Sequence, residues 1–429
     1  MRELWLVGGR ILDPASGTDA PGSVVIRDGR VAAIEQGEGR PPEGVDRIDC
    51  AGKWIVPGFV DLHVHLREPG EEYKETIETG ARAAVRGGFT SVVAMPNTKP
   101  PIDDPALVRF VLERGREAGL ARVYTSGAIS KGLRGETLAE IGGMKEAGAV
   151  CITDDGRPVM NAGLMRRALE YAATFDLPVM VHEEDLHLSN GAVMNEGAVS
   201  ARLGLPGFPN AAEDVMVLRD IELAALTGAH LHIAHLSTAG AVRAVRAAKE
   251  RGLKVTAEAT PHHFTLTDEA VATYDTNAKM CPPLRSRADV EAVREGLADG
   301  TLDAIATDHA PHSSLEKDVP FAQAANGIVG LETALPLTLR LVEEGVLSPM
   351  RAIELLSWGP ARAFGLPGGR IAVGEPADIT VVDPAVEWVV DADAFASKGR
   401  NTPFDGWKVR GRATHTIVGG RIVFGGEGA

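Results

Sequence analysis

Short apolar runs alternate with amphipathic stretches through the middle of the chain. Eight runs have the length and apolar content of buried strands, and helical periodicity follows most of them. Such alternation predicts a parallel sheet, because parallel neighbours need a crossover helix between them. The predicted strands lie at 60–65, 89–95, 122–124, 149–153, 178–183, 231–235, 254–258 and 303–307. The predicted helices lie at 74–86, 103–118, 137–147, 164–175, 214–226, 239–251, 331–344 and 350–364.

This pattern predicts an α/β fold, a (β/α)₈ barrel of the TIM type rather than an open doubly wound sheet. No G-x-G-x-x-G follows a strand, so a dinucleotide site is not indicated. Both ends of the chain instead carry short β-segments with glycine turns, at 4–7, 23–26, 30–34, 374–382 and 416–423. We therefore expect residues 1–55 and 366–429 to form one composite small β domain beside a barrel at 56–365.

Composition narrows the class of protein. The 429 residues carry a formal net charge of −15, which argues against nucleic acid or an anionic membrane as the main partner. The first residues lack the apolar core of a signal peptide, and no run has the length of a membrane helix. Cys50, Cys151 and Cys281 are scattered, as in proteins of a reducing compartment. We expect a cytoplasmic protein, and a homo-oligomer stays open.

The first barrel strand ends in a pair of histidines. His63 and His65 are two residues apart, so on a strand both imidazoles point to the same face. Two imidazoles on one face make half of a tetrahedral zinc site. Alone, such a pair is more often two strand histidines without a metal. The pair therefore gains meaning only if other strands supply further ligands.

Further candidate ligands end four other predicted strands, in addition to His63 and His65: Asp155, His182, His235 and Asp308. The carboxyl ends of barrel strands converge on one mouth, where the chemistry of this fold lies. Singly, His182 could be a core histidine and Asp155 a turn residue; together, chance is a poor explanation. They are too many for one tetrahedral zinc and fit two metals about 3.5 Å apart with a bridging carboxylate. Asp154 competes with Asp155 for the bridge, and strand parity cannot decide between them.

The remaining histidines are expected outside the metal site. His230 and His232 differ in parity from His235, so on a regular strand they face the outer helices. A structural or supporting role is expected for His262, His263 and His309 near the mouth.

Seven motifs together resemble those of the amidohydrolase superfamily and, within it, class I dihydroorotases of the long bacterial type. They are GFVDLHVHLREPG, MPNT, TDDG, HLSTAG, TPHH, NAKMCPPLR and TDHAPH, and the resemblance covers nearly the whole chain. It implies reversible, zinc-dependent interconversion of (S)-dihydroorotate and N-carbamoyl-L-aspartate in pyrimidine (UMP) biosynthesis.

The resemblance also implies ligand roles. One zinc ion would be held by His63, His65 and Asp308, and a second by His182 and His235, with Asp155 as the bridge. Asp308 would also move the proton from the attacking hydroxide to the leaving nitrogen, acting as the catalytic residue.

Substrate contacts are implied on the same basis. Arg67, Asn97 and His312 would hold the substrate carboxylate, which suits a planar guanidinium. His65, Asn277 and the segment Asn326–Gly327 would meet the rest of the ring. Family members commonly carry an aromatic residue before that glycine, so Asn326 departs from the pattern.

Two alternatives are weighed against this function. The nearest alternative is a hydantoinase, a dihydropyrimidinase or an allantoinase. The first two of these typically bridge their metals with a carboxylated lysine on strand four. Here the nearest lysine, Lys145, lies in the preceding helix. A non-catalytic dihydroorotase-like subunit of aspartate transcarbamoylase would lose metal ligands, whereas this chain retains them. A complex with aspartate transcarbamoylase stays open.

Overall fold

The computed structural model describes residues 3–37 and 39–425, and its first five strands belong to one sheet. β1 pairs antiparallel with β2, and β2 pairs antiparallel with β3. β4 and β5 both pair parallel with β1. These strands are β1 (Glu3–Asp13), β2 (Thr18–Arg27), β3 (Arg30–Gln36), β4 (Asp46–Asp49) and β5 (Trp54–Pro57).

The next ten strands hold the barrel and a small ribbon. Eight of them form a parallel sheet in chain order, and β11 and β12 pair with each other in the loop after β10. The ten are β6 (Phe59–Val64), β7 (Phe89–Ala94), β8 (Arg122–Gly127), β9 (Cys151–Ile152), β10 (Val179–Val181), β11 (Met194–Asn195), β12 (Gly207–Phe208), β13 (Leu231–Ile233), β14 (Val255–Ala259) and β15 (Ala304–Ile305).

His309 joins the two ends of this parallel sheet. It forms a parallel bridge to Val64, and its carbonyl accepts the backbone N–H of His65 at 2.9 Å. Its ring is held as well, because Nδ1 accepts the N–H of Gly330 and Nε2 lies 3.2 Å from Oε2 of Glu75. The sheet is thereby nearly closed into a barrel, and His309 has the structural role that was expected of it.

Three strands complete the first sheet from the other end of the chain: β16 (Ile379–Val389), β17 (Lys408–Val418) and β18 (Arg421–Phe424). β16 pairs antiparallel with β5, which gives the strand order β18-β17-β16-β5-β1-β2-β3. Leu6, Ile11 and Val24 share one apolar core with Ile379 and Ile417. The predicted fold class, a TIM-type barrel with a small β domain built from both termini, is confirmed. The domain limits remain a prediction, and β5 spans the expected boundary at residue 55.

Helices surround the barrel, and several of them begin at a residue whose side chain caps the first turn. Asp104, one of two expected caps, accepts the N–H groups of Ala106 and Leu107. The helices are α1 (Ile77–Gly87), α2 (Pro105–Ala118), α3 (Ile141–Ala147), α4 (Ala162–Ala173), α5 (Ala198–Leu203), α6 (Asn210–Thr227), α7 (Ala239–Glu250), α8 (Pro261–Thr265), α9 (Arg287–Asp299), α10 (Ser314–Lys317), α11 (Ala334–Glu343), α12 (Pro349–Leu356) and α13 (Trp358–Phe364). Within residues 3–37 and 39–425, no helix is long and apolar enough to cross a membrane.

The short helices α5, α8 and α10 were not predicted, and the structure also corrects the predictions for two longer segments. α9 was not predicted, although Ser286 caps it by accepting the N–H of Asp289. The single helix expected at 350–364 is two helices, because the backbone of Ser357 leaves helical geometry at φ −132° and ψ −80°. The break lies beside Gly359, where a Cβ atom would meet the carbonyl oxygen of Asp303 at 2.1 Å. The chain turns there to pack closely against the barrel.

Candidate metal centre

The six expected ligands meet at the mouth of the barrel. Oδ1 of Asp155 lies 3.3 Å from Nε2 of His63, 3.5 Å from Nε2 of His235 and 3.7 Å from Nδ1 of His182. Oδ1 of Asp308 lies 3.0 Å from Nε2 of His65 and 3.5 Å from Nε2 of His63. All six side chains are buried. Side chains from five strand ends, far apart in sequence, therefore point donor atoms at one small space.

The donor set fits divalent cations. Two groups of three have donor atoms within 4.8 Å of one another, namely His63 with Asp155 and His235, and His63 with His65 and Asp308. Nε2 of His63 and Oδ1 of Asp155 are buried and make no hydrogen bond within the described residues. Buried polar atoms are normally satisfied, so an ion between them would supply the missing partner. The cluster is consistent with a metal centre.

The two aspartates after β9 have different surroundings. Oδ1 of Asp154 accepts the N–H groups of Ile129 at 2.8 Å and Ser130 at 3.0 Å, and Oδ2 accepts the Ser130 hydroxyl. Asp154 thus ties down the loop after β8, while Asp155 faces the histidines. The geometry separates the two residues where strand parity could not.

Both site aspartates are held in the ionised form. Burial alone would raise the pKa of Asp155, but the charge of His63 and the close approach of the His235 ring outweigh it and lower that pKa. Burial likewise opposes ionisation of Asp308, and His63 and His65 lower its pKa in the same way. Anionic carboxylates opposite imidazoles are suited to bind a cation.

Glu258, the last residue but one of β14, supports the centre and was missed in the sequence. Its Oε1 lies 3.1 Å from Nδ1 of His63, which leaves Nε2 of that ring for the cluster. Its Oε2 lies 3.1 Å from Nε2 of His232. His63 and His232 outweigh the effect of burial and lower the pKa of Glu258 to about 2. The sequence held a signal for this role, because Glu258 is a carboxylate at the end of the predicted strand 254–258. That strand lies between the two strands that end in His235 and Asp308.

The expectation that His232 faces the outer helices is wrong. Its ring is buried and bonds to Glu258 and to Oγ1 of Thr256, and His230 reaches the same threonine at 2.8 Å. The parity argument failed because β13 ends at Ile233 and His235 has a left-handed φ of 31°. The residues of β13 therefore cannot be assigned to one face of the sheet by counting alternate positions back from His235.

His263 has the expected structural role, because its ring contacts Thr260 and Pro282. The ring of His262 is buried and belongs to neither of the two ligand groups.

Three site residues have backbone conformations that are unusual without glycine. Arg67, His235 and Asp308 have φ values of 60°, 31° and 46°. Such left-handed positions cost about 1–3 kcal/mol and persist where surrounding structure enforces them, often at functional sites. Each follows a barrel strand, so the strain lies where side chains are turned into the mouth.

A cavity of about 420 Å³ opens above the cluster. Its lining includes all the expected ligands except His63, together with Arg67, Asn97, His312 and Asn326. The guanidinium of Arg67 is buried, donates from Nε to the carbonyl of Pro311 at 3.1 Å and lies 3.2 Å from Nε2 of His312. Among the described residues, no carboxylate oxygen lies within ion-pairing distance of Arg67. A buried cation beside an open cavity is suited to receive an anionic ligand group.

The segment that carries Asn326 and Gly327 is anchored by two buried lysines. Nζ of Lys279 donates to the carbonyls of Ala322 and Ala324, and Nζ of Lys317 to those of Ala325 and Gly327. Gly327 has a φ of 156°, and a Cβ there would meet the carbonyl oxygen of Ala310 at 2.6 Å. Asn277 is half-buried and is not among the residues that line the cavity. Its substrate role remains a prediction.

Arg285 fixes the ribbon of β11 and β12 beside the cavity. Its side chain is fully buried, lies 3.2 Å from Oε2 of Glu213 and donates to the carbonyl of Phe208 at 3.0 Å. The guanidinium also lies over the ring of Phe208, 4.7 Å from its centroid. Phe208 and Met194 of the ribbon both line the cavity. The loop after β10 is thereby an ordered wall of the site.

Comparisons with known proteins agree with this geometry. A sequence model described as the amidohydrolase family matches residues 54–423. A dihydroorotase of Anaeromyxobacter sp. (strain K) is 63% identical over 422 residues, covering 98% of this chain and 97% of that protein. A dihydroorotase of Syntrophotalea carbinolica is 56% identical, covering 98% and 99%. The L-hydantoinase (dihydropyrimidinase) from Arthrobacter aurescens superposes with a TM-score of 0.87 at 26% identity, covering 99% of this chain and 96% of that one.

Proposed function

The chain belongs to the amidohydrolase family and within it to the dihydroorotases, and we propose that it interconverts (S)-dihydroorotate and N-carbamoyl-L-aspartate in pyrimidine biosynthesis. The observation that carries the proposal is the convergence of four histidines and two aspartates beneath a cavity lined by Arg67, a buried cation that no carboxylate among the described residues pairs. The first feature suits hydrolysis of a cyclic amide, and the second suits a substrate that carries a carboxylate.

We assign two zinc ions to this centre. His63, His65 and Asp308 would hold one, His182 and His235 the other, and Asp155 would bridge them, since its Oδ1 lies close to three of the four rings. Imidazole nitrogens together with carboxylate oxygens are an ordinary donor set for zinc in proteins. Bound ions would supply an activated water near neutral pH and polarise the amide carbonyl.

The chain's own residues would orient the substrate and move its proton. The Arg67 guanidinium would bind the substrate carboxylate with two parallel hydrogen bonds, and Asn97 and His312 would flank it. The backbone near Asn326 and Gly327, together with Asn277, would meet the ring amides. The Asp308 carboxylate would accept the proton of the attacking water and pass it to the ring nitrogen as the C–N bond breaks. In cyclisation the same carboxylate takes the proton from the attacking nitrogen.

Two alternatives fit less well. A hydantoinase or dihydropyrimidinase acts on rings without a carboxylate, which would leave the buried charge of Arg67 without an anionic partner. Lys145 lies in α3, away from the ligand cluster, and Asp155 after β9 would take the bridging position instead. A non-catalytic subunit would not need the six donors that are all present here.

The function is tested by assaying zinc-loaded protein with dihydroorotate, hydantoin and dihydrouracil. We expect turnover of dihydroorotate to exceed that of the other two strongly, and Asp308→Asn to suppress hydrolysis and cyclisation together. A preference for hydantoin or dihydrouracil would overturn the proposal.

The assembly and location of the enzyme remain hypotheses. Chromatography of the purified chain, alone and mixed with aspartate transcarbamoylase, tests for a homo-oligomer and for a complex. The three unpaired thiols and the biosynthetic reaction favour the reducing cytoplasm.

A further inference from the structure

His182 contacts a second set of donor atoms on the side of its ring that faces away from the centre. Nδ1 lies 2.9 Å from Nε2 of His235, within the centre, while Nε2 lies 3.1 Å from Oε2 of Glu184 and 3.9 Å from Sγ of Cys281. Oε2 of Glu184 and Sγ of Cys281 are 3.5 Å apart. These three donors form a group of their own, and all three residues line the cavity.

The spacing of the three donors matches one face of a tetrahedral metal site. Ordinary zinc bond lengths put a nitrogen and an oxygen ligand about 3.4 Å apart and a sulfur about 3.6 Å from either. The observed distances are 3.1 Å from nitrogen to oxygen, 3.9 Å from nitrogen to sulfur and 3.5 Å from oxygen to sulfur, close to these values. The second oxygen of Glu184 is held by the Ser189 hydroxyl, so the carboxylate is already oriented with Oε2 towards the other two donors. The fourth position would face the open cavity.

We propose that His182, Glu184 and Cys281 form an auxiliary cation site whose occupation inhibits the enzyme. One imidazole, one carboxylate and one thiol select a borderline or soft cation, such as excess Zn²⁺ or Cd²⁺, over Mg²⁺. Binding displaces the thiol proton and the proton on Nε2 of His182, and both pass to solvent.

A cation at this site would inhibit the enzyme for two reasons, namely its position in the cavity and its use of the His182 ring. A cation on Cys281 and Glu184 lies inside the cavity where the substrate must enter. It also draws on His182, whose other nitrogen is assigned to the catalytic centre. His182 is the one residue that the two sites would share, because neither Glu184 nor Cys281 belongs to the donor groups of the centre.

Hydrogen bonds from His182 and from Cys281 to Glu184 would by themselves explain two of the three contacts, so the test is directed at metal binding by the Cys281 thiol. Zinc-loaded enzyme is titrated with Cd²⁺ while the ultraviolet thiolate-to-Cd²⁺ absorption, the bound ions per chain and dihydroorotate turnover are recorded. We expect one additional ion, the thiolate band and loss of turnover in parallel. Mg²⁺ at the same concentrations should produce none of these.

Cys281→Ala and Cys281→Ser should lose the band and the additional ion. Each should raise the Cd²⁺ concentration for half-inhibition, relative to its own uninhibited rate, by at least about a hundredfold, because even the loss of a residue that only supports a ligand costs a metal site up to that much. Cys50→Ala removes a buried thiol from the core of the small domain and should behave like the parent.

A band that persists in Cys281→Ala, or no band in the parent at saturating Cd²⁺, would overturn the site. The inhibition measurement rests on the proposed dihydroorotase function, but the absorption band and the ion count do not. Failure of the function with an intact band would therefore leave the auxiliary site standing.

Discussion

Asn97 lies between His65 and Asp155 and contacts both. Its Oδ1 is 2.9 Å from Nδ1 of His65, and its Nδ2 donates to Oδ2 of Asp155 at 3.3 Å. Nδ1 of His65 therefore donates its proton to the amide, which leaves Nε2 free to face Asp308 at 3.0 Å. An amide that the sequence suggested for substrate binding is thus also placed to orient two candidate ligands.

We predict that Asn97→Ala weakens zinc binding about 10–100-fold, because a partner that orients a ligating histidine is lost. Zinc retained after dialysis against a graded chelator series measures the effect. Asn277→Ala is the matched control, since Asn277 does not line the cavity with the ligands. An Asn97→Ala protein that keeps its zinc and shows only a higher KM would limit Asn97 to substrate contact.

The adjacent aspartates Asp155 and Asp154 offer a matched pair of substitutions. Asp155→Ala should lose at least one ion per chain and most activity, because this carboxylate faces three histidines. Asp154→Ala should keep both ions but lose about 1–3 kcal/mol of unfolding free energy, since buried N–H groups of Ile129 and Ser130 lose their acceptor. Elemental analysis and urea unfolding give the two measurements. Full metal content in Asp155→Ala would contradict the bridge assignment.

Arg67→Lys should raise KM for dihydroorotate strongly while zinc content stays unchanged. The lysine keeps the charge but replaces a bidentate donor with a point charge. Steady-state kinetics and metal analysis on the same preparation separate the two effects. Arg157→Lys, an exposed change near the same barrel end, serves as the control. Unaltered kinetics in Arg67→Lys would reduce that residue to a structural role.

The buried side chain of Lys317 should make the unfolding free energy of the protein depend on pH. Burial, together with the nearby charge of Lys279, lowers the pKa of Lys317 from 10.5 to about 7. Between these values the unfolded chain holds a proton that the folded chain has released, so the contribution of Lys317 to stability rises with pH. The slope is at most about 1.4 kcal/mol per pH unit.

Lys317→Met should lack this dependence. Urea unfolding of both proteins at pH 7, 8 and 9 measures the difference, which should shift in favour of the parent as pH rises. A difference that is constant over this range would show that Lys317 titrates near its ordinary value in the folded protein.

The elements that could be predicted are those with a local signal. Each barrel strand is a short apolar run, and its carboxyl end was marked by a polar residue such as Asp155 or His182. The residues that were missed act through partners remote in the chain. Glu258 supports His63, and Arg285 lies against Glu213 and Phe208. Because these partners are far apart in the chain, their contacts produce no pattern of neighbouring residues from which they could be predicted. His232 was misplaced because strand parity ends where the backbone of His235 becomes left-handed.

The pairing of β5 with β16 has a consequence for synthesis on the ribosome. About 320 residues separate the two strands, so at 5–20 residues per second translation takes roughly 15–65 s to deliver the second after the first. During that interval Trp54–Pro57 has an edge without its native neighbour, which is an open template for incorrect strand pairing. The barrel strands end at Ile305 and are all delivered before β16. The sheet that contains the first residues of the chain is therefore the last to be completed.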